Sequence, residues 1–359
     1  MAIRRQMCLC AGGLLLALLL SQCKTKSESR YTKDGLFIIR IPTPTDCSEN
    51  QIADAIGSWK EEGLQPEYIG VLAPGEVVTA ALSGKVDVIG GHANGFVKAR
   101  LAGAKITAVV NAMVDTKENP HVVYHVLRKS GIRGIEGFRE IAKQRKIRVA
   151  VVARNGCPDW YFGEWLERGG IHDEAVDWEV MPAKQQLEAL SKGFVDVVTT
   201  HEPFINVADA DPNFTRVLSS WDILQDPAAG SSVRGLTDKF IKEYPNIVGA
   251  FTRAYRKAHK WTNANPDATR VLCGKLFNIR PEQVSILTYN DRDWIDDSDV
   301  NPWIVRQVIH KDIKPDAKIR ARDIYSNELN SYWIAAGRPN TVFPFDLTQA
   351  VQELRAKKD

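Results

Sequence analysis

The sequence predicts an α/β protein of two similar halves, each built on a largely parallel sheet, followed by a long helical segment. Three observations predict it. Short apolar runs alternate with amphipathic stretches from residue 36 to residue 219, as strands do when crossover helices join them. One stretch also occurs twice. Ala81-Leu82-Ser83-Gly84-Lys85-Val86-Asp87-Val88-Ile89-Gly90-Gly91-His92 returns as Ala189-Leu190-Ser191-Lys192-Gly193-Phe194-Val195-Asp196-Val197-Val198-Thr199-Thr200-His201. Asp87 and Asp196 lie 109 positions apart, too widely for a solenoid repeat, so two facing halves are expected. In each copy the aspartate is expected to help form a turn, and the histidine to close the strand. Thirdly, from Asp238 onward the strand pattern gives way to long amphipathic helices.

The chain has 359 residues, enough for two domains, and its 44% hydrophobic and 25% charged residues are ordinary for a globular protein. Residues 1–22 stand apart. Arg4 and Arg5 precede Leu14–Leu20, an apolar run too short to span a bilayer comfortably, which ends at Leu20-Ser21-Gln22-Cys23. This order resembles a bacterial lipobox, with Gln22 in place of the usual small residue. It implies a cleaved lipoprotein signal peptide, lipidation at Cys23 and a membrane anchor; a plain secretory signal or an uncleaved anchor are the alternatives. Residues 23–33 read as a flexible tether. Cleavage removes two arginines and no acid, so Lys+Arg falls from 47 to 45 against 44 acids, and the formal charge from +3 to +1. No basic surface for nucleic acid is indicated. Beyond Cys23 only Cys47, Cys157 and Cys273 remain, scattered, and no disulfide framework is expected from them.

Taken in order, Leu36–Ile41 is a buried-type strand closed by Pro42-Thr43-Pro44. Asp46 or Ser48 caps a helix whose apolar face carries Ile52, Ala55, Ile56 and Trp59, and Gly63 ends it. Strand Glu67–Leu72, helix Pro74–Leu82, strand Val86–Ile89, helix Phe96–Leu101 and strand Ile106–Met113 complete the first half. Strand Val122–Leu127 and helix Gly134–Gln144 lead to a second opening strand, Ile147–Val152. Helix Trp160–Arg168, strand Trp178–Met181, helix Lys184–Leu190, strand Val195–Thr199, helix Phe204–Ala208 and extended Thr215–Ser219 follow. Asp226–Ser232 is a loop on which the chain can cross back. Helices Pro245–Asn263, Pro266–Phe277, Pro281–Leu287, Pro302–His310 and Ser326–Ala336 then form the helical segment, with Cys273 as a core residue.

These segments resemble the substrate-binding proteins of ABC importers in the nitrate, sulfonate, taurine and thiamine-precursor group, the NMT1-like family. The resemblance is carried by Lys60-Glu61-Glu62-Gly63-Leu64, by Ala-Leu-Ser-Gly-Lys-Val-Asp-Val and by its partner running into His201-Glu202-Pro203-Phe204. It continues in Tyr244-Pro245-Asn246-Ile247-Val248-Gly249-Ala250-Phe251 and Asn265-Pro266-Asp267-Ala268. It implies a type II periplasmic-binding-protein fold of two lobes joined by two hinge crossovers. Residues 34–125 plus 230–359 would form the first lobe and residues 126–229 the second, with the C-terminal helices packed on the first. It further implies an extracytoplasmic, membrane-anchored monomer on the periplasmic or extracellular face. That protein would close around a small solute and pass it to a permease and its ATPase, with no cofactor. One acyl chain anchors weakly, so multiple acylation is expected.

Ligands of open parallel sheets sit beyond the carboxyl ends of strands, near helix N-termini. That rule selects Thr45, Asp46 and Cys47 after the first strand, and Gly91, His92 and Asn94 after the first repeat. In the other half it selects Arg154, Asn155, Gly156, Cys157, Asp159 and Trp160, then Thr200, His201 and Glu202. Backbone N–H groups would suit an oxyanion, Arg154 would supply a forked cation and Trp160 an apolar wall. The bland alternative makes Asp46 and Asp159 helix caps and Trp160 core. Each half also places a cysteine after its first strand and a histidine after a later one: Cys47 with His92, and Cys157 with His201. These four could ligate a soft metal or a metal chelate, or the thiols could cross-link the cleft. No local Cys-x-x-Cys or His-x-x-x-His spacing supports a metal. Replacing Cys47 and Cys157 with serine is expected to leave folding intact.

Some relatives of this fold are pyrimidine-building enzymes with a cysteine-rich run. Here the mature cysteines are isolated, and no Gly-x-Ser-x-Gly, Walker or His-Glu-x-x-His motif occurs. Binding without chemistry is the leading expectation. A pyrimidine-synthase-like or metal-dependent enzyme and a sensor module for a membrane partner are the alternatives.

Overall fold

Two sheets of like construction carry the chain. The structure is a computed structural model describing residues 30–73, 75–154, 156–227 and 230–356. The signal peptide, the lipidation candidate Cys23, the first part of the tether and Asn155 lie outside the described residues. The first half runs β1 (Phe37–Ile41), α1 (Glu49–Ala55), α2 (Ser58–Glu61), β2 (Leu64–Tyr68), α3 (Val77–Leu82), β3 (Ile89–His92), α4 (Ala93–Leu101), β4 (Ile106–Asn111) and β5 (Met113–Val114). The second runs β6 (Val122–Leu127), α5 (Ile135–Ala142), β7 (Ile147–Val151), α6 (Cys157–Arg168), β8 (Val176–Val180), α7 (Ala183–Ser191), β9 (Val197–His201), α8 (Ile205–Ala210), β10 (Phe214–Ser219) and α9 (Ser220–Leu224). Then come β11 (Ser232–Thr237), α10 (Asp238–Glu243), α11 (Pro245–Ala264), α12 (Pro266–Phe277), β12 (Thr288–Tyr289), α13 (Asn301–Ile309), α14 (Ser331–Ala335) and α15 (Leu347–Ala356).

The second sheet has the order β10-β6-β9-β7-β8, with β7 parallel to β8 and β9 and β6 antiparallel to both its neighbours. In the first half β1 pairs parallel with β2, while β11 lies antiparallel between β3 and β4. The N–H groups of Asp87 and Val88 bond the carbonyl of Arg40 at 2.8 and 3.3 Å, joining these two pieces. The resulting order β2-β1-β3-β11-β4 repeats β8-β7-β9-β6-β10. The antiparallel member, β11 or β6, is in each case the strand on which the chain crosses from one half to the other.

The repeated aspartates belong to this seam, and they do not form turns. Asp87 Oδ2 accepts the Arg40 N–H at 2.7 Å, while Arg40 Nη2 and Arg30 Nη2 donate to its carboxylate at 3.0 and 2.8 Å. Asp196 repeats the arrangement: the Arg148 N–H donates at 3.0 Å, Arg148 Nη2 at 2.9 Å and Arg145 Nη1 at 2.6 Å. Each aspartate ties the repeated strand to the opening strand of its half. A carboxylate that accepts a backbone N–H and two guanidinium groups is held far more firmly than a turn requires.

Ser48 caps α1 in a capping box with Gln51, as the sequence allows. The expected single helix through Trp59 is split at Gly57, whose φ of +76° is open to glycine at little cost. The run expected as a helix at Pro281–Leu287 is a 3-10 turn leading to β12, and α14 is shorter than expected. β11 was not expected as a strand, nor α15 as a helix.

The C-terminal helices pack on the first sheet through α11. Trp59 of α2 meets Tyr255 edge-on at 5.1 Å, and Ser58 Oγ donates to the Ala254 carbonyl at 3.1 Å. From α13, Trp303 reaches further, to Trp160 and Tyr161 of α6, at ring separations of 6.1 and 6.0 Å. Beside it Arg306 pairs with Glu164 at 3.3 Å in a buried contact. A covalent link corrects the expectation about cysteines. Cys47 and Cys273 form a disulfide, 226 positions apart in sequence, that ties the start of α1 to α12. Cys273 is thus more than a core residue. Among the described residues no helix is long and apolar enough to cross a membrane.

Candidate functional site

The carboxyl ends of β1, β3, β7 and β9 open onto one cleft between the two sheets. It consists of two adjoining cavities of about 390 and 750 Å³ that share Gly90–His92 and His201 as walls. Both volumes lie in the range of small-molecule sites. Thr45, Asp46, Gly91, His92, His201 and Glu202 line the smaller one. Gly91, His92, Asn94, Arg154, Gly156, Cys157 and His201 line the larger.

Four other expected residues point elsewhere, and each has a structural task. The Cys47 side chain turns into the core as half of the disulfide, so it cannot serve as a ligand thiol or cross-link the cleft to Cys157. Asp159 caps α6, its Oδ1 accepting the Gly156 N–H at 2.8 Å. Trp160 is core, stacked on His310 at 5.0 Å. Thr200 Oγ1 donates to the Val123 carbonyl at 3.0 Å and lies 2.9 Å from His125 Nδ1, inside the second sheet. Strand alternation explains this last case, since Thr200 and His201 face opposite sides. Arg154 does line the cleft, but it is engaged by Asp159 at 3.0 Å and lies over the Trp178 ring at 4.5 Å.

The centre of the cleft holds a cluster that sequence reasoning found only in part. His92 and His201 close the two repeats, and between them stands His121, with ring separations of 5.3 and 5.0 Å. Cys157 Sγ lies 3.4 Å from His121 Nε2, and Glu202 Oε2 lies 3.6 Å from His121 Nδ1. The donor atoms of His92, His121 and Cys157 lie within 4.8 Å of one another, as do those of His121, His201 and Glu202. The thiol–imidazole group is therefore His92, His121, Cys157 and His201. His121 stands where Cys47 was expected. It follows Pro120 at the entry to β6, and its only sequence signal is a histidine at the end of a crossing strand.

Arg234 and Glu49 were also missed. They form a buried ion pair beneath the cleft, Arg234 Nε to Glu49 Oε1. Gly90 makes room for it, because a Cβ there would lie 3.3 Å from Arg234 Cδ. Burial sets the protonation of the whole centre. It lowers His121 to about 3, assisted by the Arg234 charge, and His201 to about 4, assisted by His121. Burial, with His121 nearby, also holds His92 well below the usual imidazole range. Burial raises Glu202 to about 7 against the opposing pull of His201. It raises Asp46 to about 7 as well, with the charges of Glu202 and Glu49 adding to it. The Cys157 thiol is pushed up by burial and by Asp159 and Glu202. At neutral pH the centre therefore presents uncharged imidazoles, carboxyl groups that are part protonated, and a thiol. Its arginines are already paired with carboxylates.

His92 Nδ1 sits 2.9 Å from the Ser231 carbonyl, and its ring stacks on Trp303 at 4.2 Å, so its orientation is fixed. In contrast His121 Nδ1, His201 Nε2 and Glu202 Oε2 are buried and make no hydrogen bond among the described residues. Such groups are costly to leave unpaired inside a folded protein.

Several solved structures share the fold. The periplasmic nitrate-binding protein NrtA from Synechocystis PCC 6803 matches with a TM-score of 0.71 and 12% identity, covering 89% of this chain and 97% of its own. The periplasmic aliphatic sulphonate binding protein SsuA from Escherichia coli matches with a TM-score of 0.60 and 14% identity, covering 80% and 92%. A ligand binding component of an ABC-type import system from Staphylococcus aureus, with zinc bound, matches with a TM-score of 0.63 and 16% identity, covering 84% and 99%. No curated protein matches the sequence. At these identities the likeness establishes the two-lobed binding-protein fold. The sequence itself matches the NMT1-like family over residues 41–276, about two thirds of its length, and the chain belongs to that family.

Proposed function

We propose that this protein is the extracytoplasmic solute-binding component of an ABC importer. It captures a small solute in the cleft between its two lobes and delivers it to a membrane permease. The observation that carries this reading is the cleft itself. Strand ends from both sheets converge on it, and at its centre lie buried polar groups without partners. Family membership and the binding-protein fold support it. The lobes would comprise residues 34–125 plus 230–359 and residues 126–229, with β6 and β11 as hinge strands. An oxyanion of the nitrate or sulfonate type, or a thiamine-precursor-like molecule, would meet Thr45, Asp46, Gly91, His92, Asn94, Gly156, His201 and Glu202. The lipobox-like segment at Cys23 would tether a monomer to the membrane beside its permease.

Uptake tests the reading. Cells lacking the gene are supplied singly with nitrate, sulfonates, carboxylates and pyrimidines, and the full-length protein is then restored. Loss of uptake of one class, regained with the protein and absent without the permease, is the expected result. Unimpaired uptake of every class, together with turnover of any of them by the purified protein, would replace this reading with an enzymatic one.

A further inference from the structure

We infer that the cleft binds a borderline-soft divalent transition-metal ion of the zinc class through Cys157 Sγ, His121 Nε2 and His92, leaving a coordination position open toward the solute space. The inference deepens the proposed function. It rests on the cleft being a binding site, and does not depend on delivery to a permease.

The spacing carries it first. Two ligands of one tetrahedral ion, with metal–sulfur and metal–nitrogen bonds of about 2.3 and 2.05 Å, stand about 3.6 Å apart. Cys157 Sγ and His121 Nε2 stand at 3.4 Å, and the His92 donor lies within 4.8 Å of both. A thiol and two imidazoles select zinc, cobalt, nickel or copper over magnesium and calcium, whose ligands are oxygens.

The supporting contacts are those a metal site needs. A histidine that donates one ring N–H to a carbonyl presents its other nitrogen free of a proton, and the Ser231 carbonyl does this for His92 at 2.9 Å. Behind His121 stands Glu202, whose side chain is 3% exposed and whose Oε2 has no hydrogen-bond partner among the described residues. From 3.6 Å it can take the His121 Nδ1–H and hold Nε2 toward the ion, the carboxylate–histidine–metal arrangement. His201, with Nε2 unbonded, lies beyond His121 at a ring separation of 5.0 Å and groups with His121 and Glu202 rather than with His92 and Cys157, so the open position is left to the solute. Binding replaces the Cys157 S–H bond with a sulfur–metal bond and releases the proton to solvent, with no change of oxidation state. The sources of such an ion are the free cation and a cation already held in an organic chelate, and the open position admits either.

Cobalt tests this on the full chain, because a thiolate–cobalt bond gives a charge-transfer band that oxygen or nitrogen ligation does not. Metal-free protein is dialysed against cobalt chloride, and separately against cobalt nitrilotriacetate. The expected result is one cobalt per chain with the charge-transfer band, displaced by zinc chloride. Retention from the chloride identifies the free ion as a source; retention from the nitrilotriacetate complex alone identifies a chelate. Cys157→Ser loses the band. Glu202→Gln keeps it but binds about 10–100-fold more weakly, as loss of an orienting carboxylate does. Thermal melts of both variants, unchanged without metal, separate loss of ligation from loss of fold. No cobalt retained from either source, or a band that survives in Cys157→Ser, overturns the inference. Absence of cobalt binding in a protein that still supports solute uptake would overturn the inference and leave the importer reading in place.

Discussion

Opening the Cys47–Cys273 disulfide is the perturbation whose size the structure defines most closely. The bridge closes a loop of 226 positions and is the covalent link between α1 and α12. In the chain-entropy account, a loop of that length removes about 18 cal/mol/K from the unfolded ensemble, or about 5 kcal/mol at 25 °C. Native disulfides deliver about 2–5 kcal/mol in practice, because unfolded chains keep some structure. A chain of this size unfolds with an entropy of about 0.7 kcal/mol/K, so Cys47→Ser/Cys273→Ser should melt about 3–7 °C below the parent. Calorimetry with and without reductant measures it, and the parent in reductant should approach the double variant. Non-reducing peptide mapping should recover the Cys47 and Cys273 peptides as one species. A double variant melting within about 1 °C of the parent, or the two peptides recovered apart, would refute the reasoning. The result also bears on the serine replacements considered from the sequence. Cys47→Ser should be costly for folding, whereas Cys157→Ser should not.

The Asp196 carboxyl is raised by burial, but hydrogen bonds from Arg145 and Arg148 outweigh this and hold it at about 2. Its contribution, at most about 2 kcal/mol, is present above the ordinary carboxylate value and is lost as the pH falls through about 2. The melting gap between the parent and Asp196→Asn should thus be full at pH 5 and narrow below pH 4; a gap that widens on acidification would contradict the seam. Gly235 lies on β11, where a Cβ would come within 2.5 Å of both Phe96 Cε1 and the Thr107 carbonyl. Gly235→Ala should cost about 1–3 kcal/mol by overpacking, measured by denaturant titration, and a neutral effect would mean that β11 is packed more loosely than described. Removing one partner of the buried Glu164–Arg306 pair should be more damaging than an exposed ion pair would be, about 3–5 kcal/mol for Glu164→Ala. An unchanged midpoint would show that α13 does not brace α6.

Much of the fold was legible because several of its strands are short, mostly apolar runs bounded by turn residues. Phe37–Ile41, Val122–Leu127 and Ile147–Val151 appear within a residue or so of where their sequences put them. β11 was not legible, since Ser-Val-Arg-Gly-Leu-Thr carries a buried arginine and a glycine that only a close neighbour explains. β2 was placed a few residues late, its Leu64–Tyr68 holding a proline and two polar residues. The duplicated stretch gave the symmetry correctly but concealed the work of its aspartates, which depends on Arg40 and Arg148 in other strands.

The site was half legible for a related reason. Position after a strand brought His92, His201, Glu202 and Cys157 to the cleft, but says nothing of side-chain direction. Cys47 and Thr200 satisfy the same rule and point into the core. His121 satisfies it only through an antiparallel crossing strand, whose starting end reaches the cleft. The disulfide joins segments 226 positions apart and leaves no local trace.

As a solute-binding component, the protein holds a small molecule in its cleft and returns it unchanged. To test this, the full-length protein is loaded from the medium of its native cells, washed and denatured, and the released material is analysed by mass spectrometry. One small molecule per chain, identical in mass to a component of the medium and exchangeable with it, is the expected result. A released species that is a converted product, or no retained solute under any growth condition, would overturn solute binding as the role of the cleft.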